Sequence, residues 1–389
     1  MQLKIFRLAL SPFCLFLVGT LAAASPYLFT GYRFFNNYPG YETSITWSLV
    51  YIIGISSFFL GSLFPRLTFR PEKKRYSIAL SVKTDRRIFW VSIILLCTLL
   101  MLCFEMYGGI PLFMMAFNSA NANDINDAQA GSGGVLGALQ ILQFLLLAFI
   151  PIMVSNENKV ARPLRLFFYG LLVFSMIIAG KRQMIFYSFF YLISFHMMAH
   201  VVAQDTKQIR KILIKGLWGF LGSVLLFAGI AYLRTGADNG VFYVIVHYLS
   251  LPFINNMYMF NLHGLAHTRD FFDIFEFAVP TFFRNIMELE PVVTQPQLEH
   301  TISGGLYGRT FWAYGLLGVT LYCSILGFLT QLLYQLAFRY KFFLFIYPLC
   351  VWPLLMVSTY DHFVNIMFFI LPLFVFLGFR VLYTGFRRI

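Results

Sequence analysis

Ten apolar stretches follow one another along this 389-residue chain, most of them near the length of about 20 residues that a helix needs to cross a bilayer's hydrocarbon. They run at about Leu8–Thr30, Ser44–Pro65, Ile88–Met106, Val135–Ser155, Leu166–Gly180, Met184–Ala203, Gly216–Leu233, Thr310–Phe338, Phe342–Tyr360 and Val364–Phe379. Inside lipid a backbone amide finds no water to bond, so each crossing stretch must satisfy itself as a helix. The expected fold class is therefore all-α: a polytopic helical membrane protein with about ten transmembrane helices. Composition agrees, since 59% of residues are hydrophobic and 12% charged, against about 25% charged in soluble domains. Residues 1–389 form a single integral membrane domain in this reading, with no repeat and no separate soluble part.

Lysine and arginine in the short connections orient the spans. With the N-terminus assigned to one side, 22 of the 29 basic residues fall on that side and 7 on the other, while the acids divide 4 against 12. The crowded side is read as cytoplasmic and holds both termini. The net charge of +13 is then a topology signal, and nucleic acid is excluded as its explanation. Two segments complicate the count. Ala22-Ala23-Ala24 before Ser25-Pro26 fits a leader cleavage site, but the apolar run continues through Tyr27-Leu28-Phe29, so the segment is read as a retained span. Val241–Leu262 is apolar but broken by His247, Pro252, Asn255 and Asn256, and is read as re-entrant or interfacial.

Three regions lie outside the bilayer in this scheme. The cytoplasmic loop 66–87 holds eight basic residues, which serve orientation and contact with anionic lipid. The extracytoplasmic loop 107–134 has no Lys or Arg. Its Asp124 and Asp127, with neighbouring amides, suit hydrogen bonding to sugar hydroxyls or simple solvation and capping. The third, 234–309, is far longer than an ordinary connection, and loops of that length are usually functional or disordered. Its Asp270–Phe277 stretch mixes acids and aromatics as an interfacial helix would.

The spans carry almost no ionisable groups at mid-depth, where a pump or ion-coupled transporter would place them. His196 and His200 lie one turn apart near the end of a span. No third metal ligand accompanies them, and packing explains them better. The five cysteines sit within or at the ends of apolar runs with no CxxC spacing. Against this background the outer-face arginines Arg182, Arg234, Arg284 and Arg309 call for a reason. A guanidinium is a permanent charge with a planar fork of donors that matches phosphate oxygens. Several at one depth beside the bilayer would suit a lipid-linked diphosphate; headgroup anchoring or pairing with the outer acids is the plainer alternative. For a general base near neutrality, His300 stands just before the helix that carries Arg309, with Glu299, Glu288, Glu290, His247, His263 and His267 as rivals.

At the level of layout the chain resembles the Wzy-type polymerases that join oligosaccharide repeat units into O-antigen and capsular polysaccharide. Local matches are Gly108-Gly109-Ile110-Pro111-Leu112, Gly180-Lys181-Arg182, Tyr232-Leu233-Arg234-Thr235-Gly236, Gly305-Leu306-Tyr307 and Tyr314-Gly315-Leu316-Leu317-Gly318. The arginine–ten residues–glycine motif of some members is absent. The resemblance implies a GT-C-like bundle in the bacterial inner membrane and glycosyl transfer on its outer face without metal or other cofactor. The substrate would be an undecaprenyl-diphosphate-linked oligosaccharide, with a chain-length regulator and a flippase as protein partners. Arg182, Arg234, Arg284 and Arg309 would hold the diphosphate, Asp124 and Asp127 the sugar, and His300 or Glu299 would assist the acceptor hydroxyl. An O-antigen ligase shares the long outer loop, and a lipid-linked glycan transporter is the alternative from another functional class.

Overall fold

The computed structural model describes residues 2–30, 45–69, 162–178, 182–235, 305–358 and 369–382, together with positions 90, 93–94, 96–98, 100–101, 143–144, 147, 256, 260 and 363. Every regular element among them is helical, with no strand. Three helices are long and apolar enough to cross a membrane: Trp47–Thr68, Met184–Ala203 and Leu306–Arg339. A fourth is possible if the bent pair Leu3–Ala9 and Pro12–Leu21 forms one span. The chain divides into two compact units, Met1–Lys74 with Ile245–Ile370, and Arg75–Val244 with Leu371–Ile389.

Unit 1 begins with α1 (Gln2–Ala9) and α2 (Pro12–Thr30), which are bent by 58°. The bend is written in Ser11-Pro12. The Ser11 Oγ accepts from the Cys14 N–H at 3.4 Å, and proline at the first helical position has no N–H to leave unpaired. Next comes α3 (Ile45–Thr68), which packs in parallel with the long α7 (Leu306–Arg339). Small residues let the two backbones meet: a Cβ on Gly61 would strike the Ser324 backbone, and one on Gly327 the Phe58 backbone. Ser324 Oγ donates to the Ser57 carbonyl at 3.3 Å across the same seam. Close approach through small residues is the usual route to helix association in lipid, where no hydrophobic force drives apolar faces together.

At one end of unit 1 three arginines gather. The Arg7 guanidinium lies over the Phe338 ring at 5.1 Å, Arg339 over Phe69 at 5.8 Å and Arg66 over Phe59 at 6.0 Å. Tyr334 donates to the Arg7 carbonyl at 2.7 Å. These are residues that the charge count groups on one face.

The expected ninth span, Phe342–Tyr360, is not one helix. It is α8 (Lys341–Ile346), a 3-10 turn (Tyr347–Cys350) and α9 (Val351–Leu355), ending in a turn over 356–358. Pro348 and Pro353 withdraw two N–H donors and crowd the preceding carbonyls, which breaks regular α-helix. At about 1.5 Å per residue the 15 residues 341–355 fall short of a hydrocarbon core about 30 Å thick. Irregular backbone is tolerated at membrane depth only where protein covers it. Here every residue from Phe342 to Leu354 except Phe343 is buried, and Tyr347 donates to the Leu10 carbonyl.

Unit 2 contains α4 (Arg162–Ile178), α5 (Arg182–Ala203), α6 (Thr206–Thr235) and α10 (Leu371–Leu382). α5 and α6 form an antiparallel pair: Gly216 faces Ile193, Gly219 faces Phe189, and Phe220 packs on Phe186. Their turn is compact because Gln204 adopts φ 61° and Asp205 caps α6, its carboxylate accepting from the Gln208 N–H at 3.1 Å. Asp205→Ala should therefore cost about 1 kcal/mol, read as a lower midpoint of thermal inactivation. Buried Gln143 donates to Ser175 of α4 at 2.9 Å. The remaining parts of the expected third and fourth spans lie outside the described residues.

Candidate functional site

The head of α7 departs most from a plain span. Tyr314 (φ −143°, ψ 26°) and Gly315 (φ 60°, ψ −152°) are non-helical, so α7 is two helices, 306–313 and 316–339. The Gly315 conformation is one that essentially only glycine adopts. Past it the chain reverses sharply enough that a Cβ on Gly318 would meet the Thr310 carbonyl, two turns back in sequence. The expected eighth span, Thr310–Phe338, is thus revised. Residues 316–339 have the length of a crossing, about 36 Å, and 306–313 form a short helix folded into the core with all eight residues buried.

Two other segments hold this short helix in place. The Leu306 N–H donates to the Val357 carbonyl at 2.8 Å, and the Gly308 N–H to Asn256 Oδ1 at 3.1 Å. The same Asn256 donates through Nδ2 to the Ser358 carbonyl at 2.9 Å. One amide side chain therefore satisfies a first-turn N–H of the helix and a carbonyl of the broken segment before it in space. Gly305 is required by room: a Cβ there would strike the Ser358 backbone. The Tyr307 hydroxyl shares a hydrogen bond with Thr20 of α2 at 2.9 Å, and its ring lies 4.5 Å from that of Tyr51 of α3. Tyr51 in turn faces the side chains of Asn256 and Ser358. Phe260, one turn after Asn256, packs between Tyr51 and Phe311. Five segments thus converge on one buried polar cluster.

Arg309 sits in this short helix. The sequence places it on the outer loop beside the membrane, but in the structure it is buried, at 5% exposure. The reversal at Gly315 carries it inward with the rest of 306–313.

Arg182 and Arg234 belong to unit 2. Arg182 is the first residue of α5 and Arg234 the penultimate residue of α6, so both lie at the end of the antiparallel pair away from its turn. At about 1.5 Å per residue they stand about 30 Å and about 40 Å from that turn. Their side chains lie outside the described part, as do Arg284, Glu299, His300, Asp124 and Asp127 altogether. His200 Nδ1 approaches Asp205 at 4.0 Å, and among the described residues no group of three or more His, Cys, Asp or Glu gathers.

Sequence reasoning missed Asn256, Tyr51, Thr20, Tyr307 and Ser358 as members of one cluster. Asn256 was legible only as an interruption of the apolar run 241–262. A buried amide in lipid-facing sequence is costly unless something bonds it, and that cost was the available signal. Comparison with protein families, with curated proteins and with solved structures finds no match for this chain.

Proposed function

We propose that the chain is a glycosyltransferase of the bacterial inner membrane that polymerises undecaprenyl-diphosphate-linked oligosaccharide repeat units, without metal. The architecture proposed with it is a GT-C-like bundle of about ten spans with both termini cytoplasmic. The observation that carries the reading is Arg309. A permanent charge kept at 5% exposure inside an apolar bundle is expensive, and packing alone would not select it. It is the last residue of the long loop 234–309 read from the sequence.

In this mechanism the bond between the glycan's anomeric carbon and the diphosphate oxygen breaks as an acceptor hydroxyl attacks that carbon. Arg309, Arg182, Arg234 and Arg284 stabilise the negative charge on the departing diphosphate, the kind of electrostatic contribution that is usually the largest. His300 or Glu299 takes the hydroxyl proton, and Asp124 and Asp127 position the sugar. Arg309→Ala is expected to slow chain elongation about 10²–10³-fold. Arg309→Lys, which keeps the charge but not the fork, should retain part of the activity. Glycan ladders and lipid-linked product from purified protein measure both. A full-length ladder from normally expressed Arg309→Ala would end this reading.

Transport of the lipid-linked glycan is the second reading, and one observation favours it. Discontinuous helices such as α7 and the segment 341–358 are common at the binding sites of transporters. Purified protein in detergent decides between them: an enzyme lengthens lipid-linked repeats with neither ATP nor an ion gradient, whereas a transporter leaves them unchanged. Loss of all O-antigen in a deletion strain, rather than single-repeat product, would point instead to a ligase or a flippase.

A further inference from the structure

We infer that the basic end of unit 1 is a binding site for an anionic glycerophospholipid of the bilayer, seated between α1, the end of α3 and the end of α7. Arg7, Arg66 and Arg339 come from three separate helices, and each stacks on a phenylalanine ring. Stacking on an aromatic face fixes the plane of a guanidinium and leaves its edge to meet oxygens. Arg7 and Arg66 both lie near enough to Tyr334 to act on its hydroxyl, which places the two charges around one side chain. The Arg7 Nε is shielded and donates no hydrogen bond among the described residues. Asp205, in unit 2, is the one carboxylate among the described residues of the chain, so none of those in unit 1 can neutralise Arg7 or Arg66.

The apolar surroundings choose a lipid over a free anion. Ile5 and Leu8 of α1 are 54% and 61% exposed, and Phe64 and Leu67 of α3 are 59% and 76% exposed. These side chains border the arginines on the same elements, as acyl chains below a phosphate require. α1 itself, bent from α2 and carrying Lys4 and Arg7 among apolar residues, has the character of a helix lying in the headgroup layer. The site holds the phosphodiester of the lipid between the stacked arginines, with its tails along α1 and α3.

The test uses full-length protein in neutral detergent with phosphatidylglycerol, phosphatidylcholine or inorganic phosphate as probes, and native mass spectrometry to count what stays bound. Phosphatidylglycerol should be retained in preference to phosphatidylcholine, and inorganic phosphate in excess should not displace it. Each basic group near an anionic surface contributes about one kcal/mol, so Arg7→Gln with Arg66→Gln should weaken retention about 30-fold. Should that variant fail to fold, Arg7→Lys with Arg66→Lys keeps the charges, and its retention of phosphatidylglycerol must fall as salt rises. Equal retention of the two lipids, undiminished retention in the glutamine variant, salt-insensitive retention in the lysine variant, or displacement by inorganic phosphate would each overturn the assignment.

Discussion

A Gly315→Val variant is expected to lose about 3 kcal/mol or more of stability, and to accumulate poorly in the membrane. The cause lies in the backbone, before any packing is considered. At φ 60° and ψ −152° a β-branched side chain collides with its own peptide groups, so the chain must leave that conformation. Leaving it undoes the reversal that brings Thr310 against Gly318 and folds 306–313 into the core. Eight buried residues, Arg309 among them, then lose their places together. Gly222→Ala is the matching control. A Cβ there meets nothing within 4 Å, so the change should stay within about 0.5 kcal/mol of neutral. Size-exclusion profiles after heating compare the two directly. A wild-type midpoint for Gly315→Val would mean that the break in α7 is not part of the folded state.

Asn256→Leu is expected to be comparably severe for a different reason. The leucine fills the volume but offers no polar atom, so the Gly308 N–H and the Ser358 carbonyl are both left unbonded in a dry interior. Each such group costs about 1–3 kcal/mol, giving about 2–6 kcal/mol in all if the chain does not rearrange. The loss should also reach function, because Asn256 ties the short helix carrying Arg309 to the broken segment at 356–358. The midpoint of thermal inactivation and the proposed elongation activity should therefore fall together. An Asn256→Leu protein as stable as wild type would show that the amide bridge contributes nothing to holding that helix.

Much of the fold class could be read without coordinates, because lipid leaves a backbone few choices. A run such as Met184–Ala203, apolar and free of charge, must close its own hydrogen bonds, and the structure shows it as a helix. The expected span Leu8–Thr30, by contrast, ran through Ser11-Pro12, where the structure starts a new helix, and the cap at Asp205 was not read, although both signals act within a single turn. The stretches Gly305-Leu306-Tyr307 and Tyr314–Gly318 were singled out as local matches to a family, but what those glycines do was not legible there. Gly305 and Gly318 are small because distant or reversed backbone lies against them, and Gly315 because the chain turns back on itself.

Hydropathy along the chain determined which segments avoid water, and local chemistry determined where several of them start and stop, since both depend only on near neighbours. Tertiary structure alone decided that the eighth stretch is two helices, that the described part of the ninth is broken by a 3-10 turn, and that Arg309 is buried. It also decided that Asn256, Gly308 and Ser358 meet. Those outcomes depend on which backbone groups find partners tens to a hundred residues away, and an apolar run looks the same whether it crosses lipid or folds back into protein.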